Sequence, residues 1–329
     1  METKSKALLI FTGIILACIA GVGTYLWYIN DNSTSKKDDD DDNDDIINHP
    51  QLNTRYCYLD HKCLNFSKIP DEWIDIVQDI SKLHYAHTSH GGQITTGLSR
   101  LETVDSTYSQ ARASNSLPTE AGALCIYDGN GISGNTYITP DLYWEDPTGI
   151  GYTYNVIDNN PSLNISMWCW CTQVSYYSES AIQTYLQQMD DFEQHYINEG
   201  RNVRFVYMTG NADDGDYPEG TPAEASNQDP ASGYHRYVNN EIIRNFCKKN
   251  NKTLFDFADI ECWLYYSNGT AYDYATYDYY NGTDWVTVPK RHWNYSSVSQ
   301  AAHTSYENCE NKAKALWWML AQLEGWDVE

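Results

Sequence analysis

Apolar and polar positions change character along this chain. Residues 7–28 form one uncharged apolar run, long enough to cross a bilayer as a single helix. Lys4 and Lys6 precede it and an aspartate block follows, so the positive-inside rule puts the N-terminus in the cytoplasm and everything after about residue 30 outside. Retention as an anchor is favoured over cleavage, because the run lacks the short core and sharp small-residue site of a secretory signal. Residues 30–54 are polar, with Asp38 to Asp45 interrupted only by Asn43. Such a self-repelling segment buries no core and reads as a disordered stalk.

From 55 to 329, short apolar runs alternate with amphipathic segments, the pattern of one α/β domain. Strands are predicted at 83–88, 123–127, 163–168, 203–208 and 253–257, each compatible with burial on both faces. Helices are predicted at 93–101, 152–157, 179–197, 234–249 and 307–323. Ser178 and Gly200 serve as cap signals for the third, and Ile182, Tyr185, Leu186, Met189 and Phe192 form its apolar face. The expected product is a three-layer sandwich around a five-stranded, mainly parallel sheet. Between about 263 and 295 an aromatic-rich stretch with Asn-Gly turns reads as a loop or hairpin insertion.

Charge narrows the partners: a net charge of −24 opposes nucleic-acid binding, since the phosphate backbone would be repelled. The membrane enters through the N-terminal helix. Of nine cysteines, eight follow the anchor, an even number that suits disulfides; Cys57 with Cys63 and Cys247 with Cys262 are plausible pairs. Cys169-Trp170-Cys171 lacks the spacer and second pair of a zinc site, so no metal and no cofactor are expected. Seven Asn-x-Ser/Thr sequons suit a glycosylated exterior, although Asn164 enters a strand.

In a parallel sheet the ligand site lies beyond the C-terminal strand ends. There the sequence places His87-Thr88-Ser89-His90-Gly91-Gly92, then Trp168-Cys169-Trp170-Cys171-Thr172-Gln173, then Thr209-Gly210-Asn211, then Asp256 to Glu261, with His303 just before the last helix. Singly these are ordinary turn and cap residues. Their joint placement, in the order serine, backbone donor, asparagine, acid, histidine, raises a catalytic reading beside the ordinary one.

On these residues the chain resembles the SGNH (GDSL-type) hydrolase superfamily, in a branch whose serine sits in a His-Thr-Ser-His-Gly turn. The resemblance covers roughly residues 70–329 and implies a flavodoxin-like sheet. It also implies Ser89 as nucleophile, His303 as its base, and Thr172 N–H and Asn211 as oxyanion donors. Thr172 stands where the superfamily has glycine, and Gln300 where it has the aspartate that orients the histidine. Asp259 and Glu261 are the candidate replacements for that acid. The implied activity is that of a surface-anchored esterase or deacetylase acting on extracellular glycans. The alternative is a surface protein that keeps the fold, has lost catalysis, and serves glycan binding, adhesion or assembly.

Overall fold

The computed structural model describes residues 57–215 and 230–328; the expected anchor and stalk lie outside the described residues. No helix among the described residues is long and apolar enough to cross a membrane.

The described residues hold eleven strands: β1 (Tyr58–Leu59), β2 (Lys82–His87), β3 (Gln110–Ser114), β4 (Leu124–Asp128), β5 (Ile165–Cys169), β6 (Arg204–Met208), β7 (Leu254–Phe255), β8 (Trp263–Tyr265), β9 (Ala271–Tyr274), β10 (Thr276–Tyr280) and β11 (Trp285–Pro289). Eight α-helices accompany them among the described residues: α1 (Asp71–Ile80), α2 (Gly92–Val104), α3 (Pro147–Asn159), α4 (Glu179–Asn198), α5 (Pro230–Asn250), α6 (Phe257–Glu261), α7 (Trp293–Ser296) and α8 (Tyr306–Glu324).

The first seven strands form one parallel sheet in the order β1-β7-β6-β5-β2-β4-β3. The sequence predicted five of these. The two additions lie at the sheet's edges: β1 is only two residues long, and β3 buries only Ala111. Neither leaves a hydrophobic run to read. The five inner strands, numbered by their own chain order, run 2-1-3-4-5, which reverses direction at β2. A connection to the left of β2 and connections to its right then place helices on opposite faces, given right-handed crossovers. Packing agrees: α2 and α1 lie against α8, while α4 packs on α5 and meets α3 through the Tyr154–Phe192 ring pair.

Helix α8 lies so close to α2 that a Cβ on Gly97 would sit 2.0 Å from the Cys309 carbonyl oxygen, so glycine alone permits the contact. Ser305 caps α8 by accepting from the Asn308 N–H, and left-handed Gly325 (φ 118°) ends it. The predicted caps of α4 also appear: Ser178 accepts from the Ala181 N–H, and Gly200 adopts φ 73° just beyond the helix.

The aromatic stretch folds into two antiparallel ribbons, β8 with β9 and β10 with β11. The described cysteines are buried, and Cys63, Cys125, Cys169, Cys171, Cys247, Cys262 and Cys309 carry free thiols, so neither the Cys57–Cys63 nor the Cys247–Cys262 pair is formed. Cys262 Sγ is instead directed at the Ala258 carbonyl within α6 (3.0 Å), and Cys63 Sγ lies 3.7 Å from the Tyr58 carbonyl. The Asn164 amide accepts from the Lys82 N–H and donates to the Ile80 carbonyl, so this sequon is committed to joining strands.

Candidate functional site

Strand register assembles the site. His87 pairs with Cys169, so residues two positions further on, Ser89 and Cys171, leave β2 and β5 side by side at the C-terminal edge. A tight turn follows Ser89, in which a Cβ on Gly91 would lie 2.3 Å from the His87 Cβ and 2.7 Å from the Tyr85 hydroxyl. The Tyr85 hydroxyl donates to the Gly91 carbonyl at 2.8 Å and locks the turn. Ser89 and His90 thus stand immediately before the N-terminus of α2.

The two side chains converge on one sulfur. Cys171 Sγ lies 2.9 Å from His90 Nδ1 and 3.3 Å from Ser89 Oγ. Burial alone would raise the Cys171 thiol, but the hydrogen bond and charge of His90, then the Ser89 hydroxyl and the Thr172 N–H, outweigh it and hold the thiol at about 6. Burial pushes His90 below its ordinary value; the Cys171 contact opposes this, and the charges of His303 and Arg291 add to it. Thiol and imidazole are therefore both lowered, each by its own balance of burial and contact.

Residues singled out in the sequence occupy the following places. His303 reaches the same region through a strained corner, Ala302 and His303 being left-handed at φ 46° and 69°. Its ring stacks on His90 with centroids 4.9 Å apart, is exposed, and has no hydrogen-bond partner among the described residues. Thus His303 meets His90 rather than Ser89. Thr172 follows the thiol and offers it a backbone N–H. Asn211, 2% exposed, donates one amide hydrogen to the Ala212 carbonyl at 3.0 Å; its Oδ1 has no partner among the described residues.

Neither candidate acid faces His303. Asp259 Oδ2 accepts from the His61 N–H (2.8 Å) and lies 2.6 Å from His61 Nδ1, while Oδ1 accepts from the Trp263 indole (3.3 Å). Glu261 is wholly buried; it accepts from the Ala212 N–H (2.6 Å) and pairs with Lys312 (2.9 Å). Lys312 also donates to Gln93, whose amide holds the Ala302 carbonyl at 2.9 Å. Arg291, at the end of the aromatic insertion, donates to the His303 carbonyl (2.9 Å) and to Asp214 (2.7 Å). The network therefore fixes the Asn211 and His303 loops relative to α2.

Other histidines near the serine turn go elsewhere. His84 lies 2.8 Å from Ser166 Oγ and 2.9 Å from the Gly129 carbonyl, and burial lowers it to about 4. His87 lies 3.4 Å from Asp128, which also binds Arg112. A cleft of about 320 Å³ opens elsewhere, beside His61, Lys62, Trp263 and Trp318. Its lining includes none of Ser89, His90, Cys171 or His303.

Sequence reasoning missed Cys171 and His90 as a pair because it weighed the cysteine only for disulfide or metal chemistry. Their equal distance past paired strand ends was the available signal. Comparison with family models, curated proteins and solved structures gives no match for this chain.

Proposed function

We propose that this protein is a cell-surface-anchored ester hydrolase of SGNH type, working by covalent acyl transfer at the C-terminal edge of its sheet. The observation that carries the reading is the single hydrogen-bonded cluster of Ser89, His90 and Cys171, set where strand register brings β2 and β5 out together. A nucleophile needs a base within hydrogen-bond reach, and the base a neighbour that orients it; His90 stacked on His303 supplies both. The 2-1-3-4-5 order of the inner strands is the flavodoxin-like order, with the site beside its reversal point. Thr172 N–H and the spare Asn211 amide hydrogen are the oxyanion donors in this reading. Acetylated extracellular glycans fit as substrates, since the two aromatic ribbons of the insertion expose Tyr266, Tyr272, Tyr280 and Trp285, and Arg291 of the same insertion holds the His303 carbonyl.

The purified full-length chain is expected to cleave short-chain or acetylated-sugar esters. Absence of turnover on a panel of both would remove the hydrolase reading. A second reading, binding without catalysis, is favoured by the exposed His303 ring, which pairs with no carboxylate among the described residues. Glycan binding without ester cleavage would establish it.

Surface tethering rests on the apolar run 7–28 and its flanking charges. Protease added to intact cells is expected to release the domain by cutting within 30–54. Complete protection would reverse the orientation.

A further inference from the structure

We propose that Cys171 is the nucleophile of this site, with His90 as its acid and base and Ser89 as the hydroxyl that holds the thiolate; this rests on the hydrolase reading above. The superfamily pattern assigns attack to Ser89 with His303 as base, but the geometry directs the hydrogen bonds differently. Ser89 Oγ lies 3.3 Å from a sulfur, and the nearest imidazole nitrogen to that sulfur, His90 Nδ1, is 2.9 Å away. His90 is 5% exposed, so its ring is held by its surroundings rather than free to swing toward water. His90, two residues before the 13-residue helix α2, brings the sulfur's partner to that helix's N-terminal side. Cys169, two residues earlier on the same segment, lacks this setting: it points its thiol at the Trp170 carbonyl, and burial raises it far above the ordinary range.

Each step balances. The Cys171 proton passes to His90 Nδ1, Sγ bonds to the ester carbon, and the carbon–alkoxide bond breaks as the leaving oxygen takes that proton from His90. Water then attacks the thioester, gives a proton to His90, and the carbon–sulfur bond breaks to free the acid and restore the thiolate. During this cycle the Ser89 hydroxyl donates to the sulfur, and the Thr172 N–H, which contacts the resting thiol, is the donor assigned to the developing oxyanion.

The ionisable groups facing the pair are Cys169 on the preceding strand, Tyr176 in the following turn, and His303 and Arg291 behind His90. With the thiol held near 6, the thiolate is present above that pH and is lost below it. Iodoacetamide at pH about 5.5 separates such a thiol from an ordinary one best. Its ionised fraction is then several hundredfold larger, and the lower nucleophilicity that accompanies a lower pKa still leaves a gain of about twentyfold.

The test is alkylation of Cys171 in the full-length chain, mapped by mass spectrometry, beside ester kinetics of single variants. Cys171 is expected to react at least about tenfold faster at that pH than in His90→Ala, with His90→Gln between them in case the alanine variant folds poorly. Equal rates in wild type and both variants overturn the proposal. For ester cleavage, Cys171→Ala is expected to abolish turnover while Ser89→Ala keeps a measurable fraction. Activity retained in Cys171→Ala and lost in Ser89→Ala overturns the thiol assignment and leaves the hydrolase reading intact. Fast, His90-dependent alkylation with no ester cleaved by wild type supports the reactive pair and removes the hydrolase reading instead.

Discussion

Replacing Lys312 with methionine is expected to lower folding stability by about 3–5 kcal/mol, the usual cost of stranding one member of a buried ion pair. Lys312 and Glu261 are both fully buried. The ammonium lies 2.9 Å from the Glu261 carboxylate, 2.6 Å from the Gln93 amide oxygen and 4.1 Å above the Phe257 ring. Burial pushes Lys312 down and the Glu261 charge opposes that push. Without the lysine, a carboxylate stays in the core, held among the described residues by the Ala212 N–H and, at 3.4 Å, the Asn308 amide. The double variant Lys312→Met/Glu261→Gln removes the stranded charge and is expected to recover most of the loss. Exposed Lys62 beside Asp60 gives the contrast, since losing a surface pair changes stability by about 0–1 kcal/mol. Urea unfolding of the variants measures both, and a Lys312→Met midpoint equal to wild type would mean that water reaches the pair.

The second large effect concerns catalysis. Ser89→Ala/Cys171→Ala removes every nucleophile of the hydrogen-bonded cluster, so ester cleavage is expected to fall by about 10⁴-fold or more in kcat/KM. His303→Ala is expected to cost far less than the roughly 10²–10⁴-fold typical of losing a general base, because the ring stacks on His90 and makes no hydrogen bond to Ser89. Stopped-flow or plate-based ester kinetics decide between these values. A His303→Ala loss as large as that of the double variant would restore the serine–histidine pair that the sequence suggests.

Much of the fold was legible because its inner strands are buried on both faces: β4 and β5 have every residue buried and appear as apolar runs. Edge strands escaped for the opposite reason, with β3 reading Gln-Ala-Arg-Ala-Ser. Helix α1 was missed although its signals are present: Pro70 before it, Asp71 and Glu72 in the first turn, and Ile74 and Val77 on one buried face. The site was legible as a set of strand-end residues but not as a set of partners. Nothing in the order of residues reveals that His90 turns to a sulfur while His303 stacks behind it. That choice follows from the β2–β5 register and the left-handed corner at 302–303, both of which are tertiary. Glu261 likewise looked available as an orienting acid until Lys312, 51 residues later, was found against it.

Trapping the acyl-enzyme tests the central claim most directly. The full-length chain is mixed with 4-nitrophenyl acetate, quenched in acid within the first turnover, digested and analysed by mass spectrometry. The account predicts a burst of nitrophenol stoichiometric with protein and an acetyl group on the peptide that carries Cys171, absent after Ser89→Ala/Cys171→Ala. No burst, or an acetyl group found at neither Cys171 nor Ser89, would contradict a hydrolytic site at this edge of the sheet.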